Sequence, residues 1–164
     1  MPVLRLPRCS GIRVALVPLT LLLTLTLAAP ASADRADRIR HARHVAVRQI
    51  GDPYRWGADG PRAFDCSGLV YFATHRAGLE RVPRTSAEQA DFMRHIKKRN
   101  LRRGDFMFFH TKHGVVYHVA IFLRRRHGEV RMLHSPGTGE HVRRDSPWTH
   151  RWFAATLRQR RHHR

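Results

Sequence analysis

The stretch AFDCSGLVYFATHRAG, Ala63–Gly78, sets Cys66 between Asp65 and Ser67 at what reads as the start of a helix. A sulfur there lies near free backbone N–H groups and the positive end of the helix dipole, and both favour thiolate over thiol. A thiolate nucleophile also needs a group to hold its proton and to return one to a leaving amine, and histidine suits that task at neutral pH. Asp65 can cap the helix or meet a substrate amine, but its charge opposes thiolate formation, so it is not the expected activator.

Of the 13 histidines, His41, His44, His75 and His95 fall on helical stretches without an evident partner, and His162 and His163 lie in the tail. His118 differs, because it interrupts the apolar strand YHVAIFL, where an unpaired polar side chain costs stability. Alternation puts it on one face with Ala120 and Phe122, opposite Val119, Ile121 and Leu123. His134 ends a second strand, VRMLH, and a hairpin turn at Arg124–Gly128 sets the two side by side. His134 can then orient His118 while His118 faces Cys66, an arrangement of nucleophile, base and orienting group. A metal site built from His110, His113, His118 and Cys66 has no common zinc spacing, and neither a metal nor a cofactor is expected. On these residues alone, a buried inert thiol and satisfied core histidines stand as the alternative.

The elements that must position these groups follow a leader. Arg5, Arg8 and Arg13 precede the apolar run Val14–Ala29, and Ala31-Ser32-Ala33 supplies small residues before Asp34, the pattern of a secretory signal over residues 1–33. The run falls short of the roughly 20 residues that span a bilayer, so no membrane insertion is expected once the signal is removed. Cys9 precedes the apolar run, where a lipoprotein cysteine would not stand. Signal removal leaves 131 residues with Cys66 as the one cysteine, and an unpaired cysteine in an exported chain points to a reactive thiol or intermolecular pairing.

That length suits a single domain, 34–158, followed by a basic tail, 159–164, and a monomer is expected. Loss of the leader's three arginines lowers the net charge from +19 to +16, with basic runs at Arg124–His127 and in the tail. Such charge favours anionic partners, namely wall polymers, phospholipid surfaces or nucleic acid. No nucleic-acid motif is present, and that partner is not expected in an exported chain.

Apolar spacing at Ala36, Ile39, Ala42, Ala46 and Ile50 predicts a helix from Asp34 to Gln49. The Gly/Pro-rich Gly51–Asp65 is a loop, Cys66–Ala77 a helix ended by Gly78, and Thr85-Ser86-Ala87-Glu88 opens a third helix running to about His95. Short apolar strands follow at Asp105–His110, Tyr117–Leu123, Val130–His134 and Trp152–Leu157. Helices first and an antiparallel sheet after define an α+β fold.

Six blocks in order carry a resemblance: Pro53-Tyr54-Arg55-Trp56-Gly57, Asp65-Cys66-Ser67-Gly68-Leu69-Val70, Pro83-Arg84-Thr85-Ser86 with Gln89, Gly104-Asp105-Phe106 with Phe108-Phe109, His118-Val119-Ala120-Ile121, and Met132-Leu133-His134-Ser135-Pro136. Over about residues 37–157 the chain resembles the NlpC family of papain-like cysteine peptidases, which cut bacterial cell-wall peptides. The resemblance implies a papain-like fold, with Cys66 as nucleophile, His118 as general base and acid, and His134 as orienting residue. It implies that Tyr54 sits near the oxyanion and that Asp65 and Ser67 contact substrate. The implied substrate is the stem peptide of peptidoglycan, cut between γ-D-glutamate and a diamino acid, outside the cytoplasm or in the wall.

Three positions depart from the family pattern. Ala58 replaces a second glycine and is expected to narrow the cleft, Arg103 replaces a proline, and Ala120 replaces a glycine. With no room for a wall-targeting module, the basic surface and tail are expected to supply attachment to anionic wall polymers. The rival readings are an N-acetylmuramoyl-L-alanine amidase or acyltransferase on the same Cys–His pair, or a non-catalytic basic wall-binding protein.

Overall fold

A computed structural model describes residues 31–159. The expected signal segment lies outside the described residues except for Ala31–Ala33, which open the first helix, and so does the tail beyond Gln159.

Three helices, α1 (Ala31–Val47), α2 (Cys66–Arg76) and α3 (Ser86–Phe92), precede most of the sheet. The strands are β1 (Arg94–Ile96), β2 (Phe106–His110), β3 (Val116–Arg126), β4 (Glu129–His134), β5 (Arg143–Asp145) and β6 (Trp152–Thr156). They form one antiparallel sheet in the order β1-β6-β2-β3-β4-β5. This is the α+β arrangement expected from the order of patterns.

The sheet is buried on both faces at its centre, which explains why FMFFH is continuously apolar rather than alternating. Phe106, Phe108, Val119, Ile121 and Leu133 meet the helices through Ile39, Leu69, Val70 and Ala73. Met107, Phe109, Ala120, Phe122, Met132 and Trp152 form a second cluster on the other face, against Ile96, Leu101 and Val130. The two faces of β3 therefore divide as alternation requires.

Two strands escaped the sequence reading. The third helix was expected to reach His95, but it stops at Phe92 and Met93 turns extended, at φ −88° and ψ 141°. Arg94–Ile96 then pairs with β6, and the His95 ring packs 4.4 Å from Phe153. Sheet pairing at an open edge outweighs one more helical turn, and three residues are too few to show a period. The other missed strand, β5, reads Arg143-Arg144-Asp145 and carries the charge typical of an edge.

Positions of the site residues follow from the β3–β4 hairpin. His127 and Gly128 turn it with φ of 49° and 82°, the left-handed pair that suits the twist of a two-residue hairpin. Ile121 stands opposite Leu133 and Phe122 opposite Met132. His134 follows Leu133 at the end of β4, and its ring meets that of His118 across the hairpin.

Candidate active site

Cys66 opens α2, which Asp65 caps by accepting the Gly68 N–H at 2.6 Å. The glycine is required by packing: a Cβ at Gly68 would lie 2.1 Å from the Ala58 carbonyl oxygen. The loop before the helix thus presses directly on its first turn, and Asp65 N–H closes the contact on the same carbonyl at 2.8 Å. Ala58 itself is buried.

Before Ile121 the two edges of β3 differ, since β2 stays paired with it as far as Val116. Pairing with β4 runs from Ile121 onward, and Cys66 packs against the cluster that holds Val119, whose N–H favours the thiolate. The thiol therefore lies beside the residue that follows His118. Ser135, just past β4, donates from Oγ to the Phe64 carbonyl at 2.7 Å and ties the His134 strand end to the segment before Cys66.

His118 Nε2 and His134 Nδ1 are 3.0 Å apart, with the rings nearly perpendicular. Both are buried, at 5% and 2% exposure. The expected pairing of these two histidines is thus present in the structure. Among the described residues no hydrogen bond joins His118 to the thiol. Such bonds are commonly long before substrate is bound.

Burial sets the charge state. It pushes His118 down to about 3, helped by the neighbouring His134 and opposed by Asp65. It pushes His134 down to about 4 against the pull of Asp145. Both rings are neutral at physiological pH. The Cys66 thiol moves up, first through burial; N–H groups of Val119, Ser67 and Cys66 itself oppose this, and the Asp65 charge adds to it. The helix terminus acts in the expected direction, yet desolvation outweighs it. Burial thus favours the neutral pair, thiol and imidazole, against the pull of the helix terminus.

Tyr54 sits within the field of both Cys66 and Asp65, and burial followed by those two charges raises its phenol, which remains a proton donor. Its loop is anchored by Tyr54 N–H to the Glu140 carbonyl at 2.8 Å.

Asp65 and Ser67, expected to meet substrate, are heavily engaged. Asp65 Oδ1 accepts from Gly68 N–H, from Ser67 Oγ at 3.2 Å and from Arg84 Nη1 at 3.1 Å, while Oδ2 accepts from Gly57 N–H at 3.0 Å and Arg84 Nη2 at 2.8 Å. Arg84 Nη1 also donates to Ser67 Oγ at 3.1 Å. Burial alone would raise Asp65, but the Arg84 and Gly68 bonds and the Arg84 charge hold it below its ordinary value. Gln89, fully buried, donates from Nε2 to the carbonyls of Ser67 and Pro83 at 3.0 and 2.9 Å and joins the same first turn to the α3 entry. Arg84 and Gln89 are visible in the sequence blocks, but no local pattern assigns them to the Cys66 cap.

Trp148 gave no sequence signal at all. Its ring stacks on Phe109 at 4.3 Å and 8°, lies over His134 at 5.5 Å and 25°, and meets His118 edge-on at 5.2 Å. Trp148 is 51% exposed as a residue, and its ring forms a roof over the histidine pair.

The fold is helices packed on an antiparallel sheet, with a thiol at a helix N-terminus and two bonded histidines on adjacent strands, an arrangement whose groups can carry out nucleophilic acyl transfer. The NlpC/P60 family profile matches residues 51–161, and the chain belongs to that family. It is 37% identical over 123 residues to murein DD-endopeptidase MepH of Escherichia coli, covering 73% of this chain and 43% of the relative. It is 33% identical over 95 residues to the γ-D-glutamyl-L-lysine dipeptidyl-peptidase of Bacillus subtilis, covering 57% and 30%. The chain therefore spans less than half the length of these curated relatives. Among solved structures, peptidoglycan hydrolase RipB of Mycobacterium tuberculosis superposes with a TM-score of 0.65 at 25% identity, covering 82% of this chain and 74% of that one.

Proposed function

We propose that the protein is a secreted cysteine endopeptidase that hydrolyses peptidoglycan stem peptides at the γ-D-glutamyl–diamino acid bond. The observation that carries this reading is the buried His118–His134 pair beside the Cys66 helix terminus, 3.0 Å between ring nitrogens. Family membership and the names of the relatives support the substrate class.

In the proposed mechanism Cys66 is the nucleophile. Because both groups rest uncharged, the thiol proton passes to His118 as sulfur attacks the scissile carbonyl carbon. The Cys66 backbone N–H, with the Tyr54 hydroxyl nearby, stabilises the oxyanion. His118 then gives its proton to the departing amine, leaving an acyl-thioester on Cys66. Water, deprotonated by His118, releases the acyl group. His134 orients His118 throughout, and Asp65 and Ser67, held by Arg84, shape the cleft beside Tyr54. The exposed run Arg124–Arg126 supports attachment to anionic wall polymers outside the cytoplasm.

A second bond is suggested by MepH, named for cleavage of a D,D-peptide link. Mass-spectrometric mapping of products from a cross-linked muropeptide containing γ-D-glutamyl-diaminopimelate separates the two. Release at the γ-D-glutamyl bond is expected. Exclusive cleavage of the D,D cross-link, or of the glycan–peptide amide, would overturn the bond assignment.

A further inference from the structure

His134 faces His118 through Nδ1, but its other nitrogen is unaccounted for. Among the described residues, His134 Nε2 is buried and has no hydrogen-bond partner. Asp145 Oδ2 lies 3.8 Å from it. Asp145 is fixed from both sides: Oδ1 accepts the Ser146 N–H at 2.8 Å, and Oδ2 accepts Arg143 Nε at 3.1 Å. Pairing of β5 with β4 sets Arg143 opposite His134 and Asp145 opposite Met132. Arg143 is shared between Asp145 at 3.1 Å and Glu140 at 2.5 Å, so two carboxylates face one guanidinium and the field toward the ring is negative. The charged groups acting on His134 are thus Asp145, Arg143 and Glu140, with neutral His118 in front and Trp148 above.

Proton placement follows from these contacts, and it rests on the reading of Cys66 and His118 given above. His118 can accept the thiol proton only on the nitrogen not engaged with His134, which is Nδ1. Its own proton must then sit on Nε2 and be donated to His134 Nδ1. A neutral His134 that accepts at Nδ1 carries its proton on Nε2, the buried atom that faces Asp145. The opposite tautomer would set two N–H groups against each other across the 3.0 Å gap.

We propose that Asp145 is a positioning residue: its carboxylate holds His134 in the Nε2–H tautomer and so keeps the His118 base correctly oriented. During attack the S–H bond breaks, an N–H bond forms at His118 Nδ1, and the sulfur electron pair goes to the carbonyl carbon. No proton leaves His134. The new imidazolium on His118 is stabilised by the His134 acceptor and, behind it, by the Asp145 charge.

The test is nitrogen NMR of the full-length chain labelled with 15N-histidine near neutral pH, with His134→Gln identifying the His134 signals. The unmodified protein should show a bare Nδ1 and a protonated Nε2. Protonation at Nδ1 instead would overturn the proposal without any variant at position 145. Asp145→Ala should mix the tautomers and lower kcat by about ten- to a hundredfold with little change in KM. Asp145→Glu should recover part of that loss. Unchanged tautomer and kcat in Asp145→Ala, with Cys66→Ala inactive, would refute this inference alone. Activity retained by Cys66→Ala would refute the underlying reading.

Discussion

Replacing His118 with glutamine should flatten the acid side of the stability curve. His118 is 5% exposed and held down to about 3, whereas in the unfolded chain it titrates near its ordinary value of about 6.5. Between these limits the unfolded chain binds a proton that the native chain excludes, so stability falls as the pH is lowered. Each such group adds a slope approaching about 1.4 kcal/mol per pH unit. Integrated from pH 7 to pH 5, the His118 contribution comes to roughly 2 kcal/mol. Urea unfolding followed by tryptophan fluorescence reads it directly. At an m-value of about 2 kcal/mol/M, the unmodified midpoint should drop about 1 M further than that of His118→Gln over the same interval. His134, pushed down to about 4, remains in both proteins and keeps part of the slope. Equal acid losses in the two proteins would show that His118 is not buried neutral, and the charge state assigned to the site would be wrong.

Other consequences concern chemistry and packing. Because His118 stays neutral well below pH 6.5, the acidic limb of kcat/KM on a stem peptide should lie below about pH 5, and a limb near pH 6.5 would contradict its burial. Burial raises the thiol, so iodoacetamide should alkylate Cys66 with an apparent pKa above the ordinary value of about 8.5, and an inflection near pH 4–5 would instead reveal a preformed ion pair. Trp148→Ala should admit water to both rings, move the acidic limb upward and lower kcat about tenfold, whereas an unshifted limb would remove its role as a roof. Arg84→Ala leaves the 7% exposed Asp65 carboxylate without its cation and should destabilise by about 3 kcal/mol in urea, with a loss under about 1 kcal/mol contradicting the cluster's importance.

Much of the site was legible because its parts obey local rules. Glycine and proline before Cys66 mark the loop, Asp65 is a natural cap, and RRRHGE reads as a hairpin turn that can set the His118 and His134 strands side by side, as they are paired in the structure. Asp145 and Trp148 were not legible. They lie in a charged three-residue strand and the loop after it, with no period to read, and they meet the histidines only because β5 joins the sheet edge. Arg84 reaches Asp65 across 19 residues, a contact that no spacing rule specifies. The opposing effect of burial on the thiol was not legible for a related reason: the helix terminus can be seen in the sequence, but the depth at which the thiol is buried depends on how β3 packs beside it. A helix that should have continued through His95 lost to strand pairing with a partner some 60 residues away.

The central claim is that Cys66 cuts stem peptides. Purified peptidoglycan digested with the unmodified chain and with Cys66→Ala, both checked for equal folding by circular dichroism, tests it most directly, with soluble fragments read by mass spectrometry. Fragments ending at D-glutamate should accumulate with the unmodified protein and be absent with the variant. Equal fragment release by both proteins would contradict the account, as would binding of wall polymer with no cleavage by either.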